Sequence, residues 1–60
     1  MTQLFAVYKG KMHKGNSRGE SNLKAIQIYL IDSGFSKHEI LSEELLKKYN
    51  AIIAIKGIHY

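Results

Sequence analysis

The residues of this 60-residue chain whose chemistry could build a site are three histidines, His13, His38 and His59, four tyrosines, and a run of cations near the N-terminus. A nucleophile-and-base pair can be drawn from Ser17 or Ser21 with His13, but both serines have a competing use as helix caps. His13 also falls in a glycine-rich stretch that reads as a flexible loop. No catalytic signature is therefore expected, and a minimal ribonuclease or toxin built from histidine, tyrosine and lysine is kept only as an alternative. Metal binding is not expected either. The chain has no cysteine, and its histidines lack the i, i+3 or i+4 spacing that assembles ligands on one element. No cofactor motif is present.

The stretch Lys9 to Gly19, KGKMHKGNSRG, is the most suggestive polar segment. Residues 1–18 carry Lys9, Lys11, Lys14 and Arg18 and no acid, whereas the remaining five lysines are balanced by five carboxylates, so the whole net charge of +4 resides in the first third. Such a loop attracts phosphate, and Lys9, Lys11, His13, Lys14 and Arg18 are the candidate nucleic-acid or anion ligands. Specific nucleotide loops are excluded. Gly10 and Gly15 have the first spacing of a Walker loop and Ser17 falls at its Ser/Thr position, but Asn16 stands where the Lys is required, and no G-x-G-x-x-G occurs. Tyr8 precedes the loop and no aromatic residue lies within it, so a base-stacking platform is not expected. The bland alternative is a solvated loop that only keeps the protein soluble.

The elements that must carry these residues follow from periodicity. Thr2 to Tyr8 and Ala51 to Lys56 are apolar on both faces of a period-2 pattern, which suits two strands paired within one sheet. A helix starts at a capping box of Ser17 and Glu20 or one turn later at Ser21, and stops at Gly34. Leu23, Ile26, Leu30 and Ile31 share the face expected to lie on the sheet, with Ala25, Ile28 and Tyr29 opposite. A second helix is capped by Ser42, with Glu43 and Glu44 in its first turn. Lys37 to Leu41 reads as a short strand, because a helix begun at Ser36 would set Ile40 among Glu43, Glu44 and Lys47.

The expected fold is a single α+β domain over residues 1–60, β-α-β-α-β, with three short strands and two helices. A single core at this length supplies only about 3 to 5 kcal/mol, and the second apolar side of the first helix adds a reason for a second subunit, so a homodimer is expected. The apolar runs are too short to cross a bilayer, and no basic, cleavable leader is evident, so a cytoplasmic location without membrane contact is expected. The short cysteine-free composition resembles that of small phage or mobile-element proteins, which transfers no residue role. The leading functional expectation is a non-catalytic inhibitor or adaptor that docks on a larger protein through an apolar helix face or a sheet edge. Its candidate interface is Ala25, Ile28, Tyr29, His59 and Tyr60. The alternative of another class is a nucleic-acid-binding module using residues 9–18.

Overall fold

The run QLFAVYK forms strand β1, Gln3–Lys9, and its two-sided apolar pattern is matched by its place in the middle of the sheet. The computed structural model describes all 60 residues. Phe5 and Val7 are buried on the face covered by the long helix, and Ala6 is fully buried on the opposite face. Strand β3, Tyr49–Ile53, runs antiparallel to β1, with Val7 opposite Ala51, so the two apolar segments pair as their composition suggests. It begins two residues before Ala51 and ends at Ile53. The Ala54 N–H still donates to the Leu4 carbonyl at 2.9 Å, after which residues 55–60 turn back instead of extending.

The third strand is not where the sequence pattern puts it. Strand β2, Met12–Gly19, is the segment read above as a flexible loop, and the sheet order is β2-β1-β3 with every pair antiparallel. Two features make a strand of a sequence with no β-branched residue. Gly10 and Lys11 close a two-residue turn with a positive φ of 63° at Gly10 alone, the sign pattern of a type II′ hairpin turn, whose twist matches the flanking strands. Gly15, Ser17 and Gly19 then alternate along β2 on the helix side, opposite Val7, Phe5 and Gln3, and their small size lets the helix approach. Ser17 is thus a buried strand residue and not a cap.

Ser17 Oγ has no hydrogen-bond partner. A buried hydroxyl without a partner costs part of its desolvation energy, so Ser17→Ala is expected to raise stability by about 1 kcal/mol in urea denaturation. A lower midpoint for the alanine variant would show that the hydroxyl is satisfied.

The long helix α1, Asn22–Asp32, takes Ser21 as its N-cap, with Lys24 N–H donating to Ser21 Oγ at 3.3 Å. It ends in a Schellman motif: Phe35 N–H donates to the Leu30 carbonyl and Gly34 N–H to that of Ile31, with Gly34 at φ 106°. Its inward face is Ala25, Ile26, Tyr29 and Leu30, rotated from the expected Leu23, Ile26, Leu30 and Ile31. The small surface of β2 explains the rotation. A Cβ at Gly19 would lie 2.6 Å from Ala25 N, and one at Gly15 would lie 3.2 Å from the Tyr29 ring, so α1 presses its Ala25 and Tyr29 edge onto that strand.

Lys37–Leu41 is not a strand. Ser36 and Glu39 form a reciprocal capping box, with Ser36 N–H to Glu39 Oε1 at 2.9 Å and Glu39 N–H to Ser36 Oγ at 3.2 Å, and a 3-10 turn follows over Glu39–Leu41. The Ser36 N–H, and then its hydroxyl, hold the Glu39 carboxyl below the usual value. Because this helical turn stops at Ser42, Ile40 is freed from the polar face that one continuous helix would impose and is buried. Ser42 caps the short helix α2, Glu43–Leu46, as expected, accepting from Leu45 N–H at 3.4 Å. The domain therefore has the expected class, α+β with three strands and two helices, in the order β-β-α-α-β. No helix is long and apolar enough to cross a membrane.

Candidate functional site

A β-bulge assembles the most specific group of polar side chains. Val7 pairs with Gly15, but Tyr8 pairs with His13, so Lys14 is an extra residue on β2. In a regular strand His13 and Asn16, three positions apart, would point to opposite faces. The bulge puts both on the face away from α1, beside Tyr8.

The turn after β3 brings His59 to the same place. Ile58 and His59 N–H both donate to the Ile55 carbonyl, at 3.0 and 2.8 Å, while Ile55 N–H donates to His59 Nδ1 at 2.8 Å. Asn16 Nδ2 donates to the His59 carbonyl at 2.9 Å, pinning the tail to β2. The rings of Tyr8, His13 and His59 gather with centroids 5.3 Å apart for Tyr8 and His13, 5.1 Å for the two histidines, and 5.9 Å for Tyr8 and His59. His13 is exposed, and Tyr8 and His59 are half-buried.

The hydrogen bonds fix the proton positions of the neutral rings. Since Asn16 Nδ2 is committed to a carbonyl, its Oδ1 faces His13 Nε2 at 2.8 Å as an acceptor, and His13 Nε2 must carry the proton. His59 Nδ1 accepts from a backbone N–H, so its Nε2 carries the proton and donates to Tyr8 Oη at 2.9 Å. Two groups are left without a partner inside the protein: the His13 Nδ1 lone pair and the Tyr8 hydroxyl proton.

The cations surround this group unevenly. Lys11 is in the hairpin turn and Lys14 is the bulged residue, its Nζ 3.9 Å from Met12 Sδ. Arg18 pairs opposite Leu4, on the face that carries Tyr8 and Asn16. Lys9 lies on the other face, with Nζ 5.8 Å from the centre of the Tyr49 ring. His38 belongs to the turn before the 3-10 segment and is not part of the group. No set of three histidine, aspartate or glutamate side chains is close enough to hold a metal ion.

The residues singled out for a protein interface separate. Ala25 is fully buried and offers no surface, and Tyr29 is half-buried, its ring 6.2 Å from that of Tyr49. Ile28 is 41% exposed and joins Ile31, Ile40 and Leu41 in an open groove of about 490 Å³ flanked by Lys24 and Lys37. His59 is in the ring cluster. Tyr60 is exposed, its carbonyl accepting from Gly57 N–H. Tyr8 and Asn16 were not among the expected ligands, and only the bulge, which no residue type announces, brings them to His13.

No protein-family model, curated protein or solved structure matches the chain.

Proposed function

We propose that the protein binds single-stranded nucleic acid on the hairpin face formed by β1, β2 and the C-terminal turn. The observation that carries this reading is the gathering of Tyr8, His13 and His59 on the hairpin that holds the chain's whole excess of positive charge. Cations track a phosphate backbone, and rings of this kind stack unpaired bases without strong sequence preference. A duplex would bury its base faces and make only the ionic contacts.

Fluorescence anisotropy with a labelled single-stranded oligonucleotide tests this. Three phosphate contacts, from Lys11, Lys14 and Arg18, predict that the logarithm of the binding constant falls against that of salt with a slope of about −2, and that single strands bind more tightly than duplex of equal length. Absence of binding at low salt, or affinity indifferent to salt, would contradict the reading.

A protein partner is the second reading, and the groove around Ile28 and Leu41 favours it. Exposed apolar side chains between Lys24 and Lys37 suit an apolar segment that carries acidic residues. Strand β3 adds an open edge with Ile53 59% exposed, where a second copy could pair to give the expected homodimer.

A further inference from the structure

The two unengaged groups at the hairpin face are a base and an acid carried on neighbouring rings. We propose that the protein cleaves single-stranded RNA, with His13 Nδ1 as general base and the Tyr8 hydroxyl as general acid. The proposal rests on the nucleic-acid reading above and names its substrate.

The geometry supplies each role. Asn16 Oδ1 holds the His13 proton on Nε2, which leaves the Nδ1 lone pair free on a ring centred 5.3 Å from that of Tyr8. His59 Nε2–H donates to Tyr8 Oη, so the tyrosine accepts from the protein and has its own proton to give away. The same bond stabilises the phenolate once that proton has left. His59 is therefore a positioning residue, oriented by Ile55 N–H. The ring centres of Tyr8 and His13 are 5.3 Å apart, with 36° between planes, which sets the two rings close enough for one phosphodiester to meet both.

RNA provides its own nucleophile, which is why neither the absence of a placed serine nor that of a metal-ligand set decides against the reaction. His13 Nδ1 takes the proton of a ribose 2′-hydroxyl as the 2′-oxygen bonds to phosphorus. The bond from phosphorus to the 5′-oxygen breaks, and that oxygen takes the Tyr8 proton. The products are a 2′,3′-cyclic phosphate end and a 5′-hydroxyl end. The proton on His13 returns to the Tyr8 phenolate through solvent, so protons balance and nothing is oxidised or reduced. His13 lies on a strand and not in the flexible loop expected from its glycines, so its ring is held in one tautomer.

The test is a single-turnover assay at saturating protein with an end-labelled single-stranded RNA in the presence of EDTA, beside an all-deoxy strand of the same sequence. The wild-type protein is expected to cut the RNA to cyclic-phosphate and 5′-hydroxyl ends and to leave the DNA strand whole. His13→Ala and Tyr8→Phe, purified identically and shown folded by circular dichroism, should each lose about 100-fold or more in the saturated rate. His59→Ala should lose less, because Tyr8 keeps its proton. RNA that is bound but uncut would overturn the cleavage proposal and leave the binding reading standing. Cutting that persists in both His13→Ala and Tyr8→Phe would overturn it as well. If neither strand binds, both readings are overturned.

Discussion

Gly19→Ala is expected to lower the stability of the domain by about 3 kcal/mol, the upper end of the usual cost of overpacking. The added methyl would meet Ala25 N at 2.6 Å, Ala25 Cα at 3.0 Å and Lys24 C at 3.1 Å, which are backbone atoms of α1 with no rotamer to escape into. The helix must lift from β2, and Ala25, Ile26 and Leu30 would lose part of their burial. A single core of this size supplies only about 3 to 5 kcal/mol, so the variant should be largely unfolded on mild heating. Gly15→Ala is a milder counterpart. Its methyl would meet only the edge of the Tyr29 ring, at 3.2 Å, and that side chain can swing. Urea melts followed by circular dichroism would compare them, and a Gly19→Ala midpoint equal to that of the wild type would show that α1 does not sit on β2 in this way.

The combined replacement of Lys11, Lys14 and Arg18 by alanine should weaken single-strand binding roughly 100-fold at about 0.1 M salt. Each contact to a single strand contributes a salt slope of about 0.7, and losing three removes about two decades relative to 1 M salt. The slope itself should shrink by about 2, whereas Lys47→Ala, in the turn after α2, should change neither quantity. The three positions are exposed, so the fold should survive the replacements. A triple variant that binds as tightly and with the same slope would show that the hairpin is not the contact surface.

How much of this was legible in the sequence differs from element to element. The two apolar strands, the Ser21 and Ser42 caps and the Gly34 stop each rest on local chemistry, and local chemistry decides them. Strand β2 could not be recognised by propensity, because its glycines serve the approach of α1 and not a turn. Its period-2 row of Gly15, Ser17 and Gly19 was visible, but it acquires meaning only once Ala25 and Tyr29 are known to lie against it. The segment Ser36 to Leu41 did carry a usable signal in its Ser36 and Glu39 capping box. The chain breaks its helix between two turns: the 3-10 turn ends at Ser42, so Ile40 need not share a face with Glu43. The same rotation of α1 that fits the small strand buries Ala25 and exposes Ile31.

The ring cluster was legible only as separate residues. His13 and the hairpin cations were candidates by type, and His59 by its place in the tail. Their meeting depends on a bulge at Lys14 and on a tail that folds back onto Asn16, both consequences of register and tertiary contact. Neither has a composition of its own. The proton assignments of His13 and His59 lie one step further, since they follow from hydrogen bonds that span 3, 4 and 43 positions of the chain.

The most direct measurement of the central claim is a titration of ¹⁵N-labelled protein with a short single-stranded oligonucleotide, followed by backbone amide shifts. Binding at the hairpin face predicts changes concentrated at Tyr8, Lys11 to Arg18 and His59, with Ile28, Ile31 and Leu41 unmoved. A spectrum unchanged at millimolar oligonucleotide and low salt, or changes centred on the groove around Ile28 and Leu41, would contradict it.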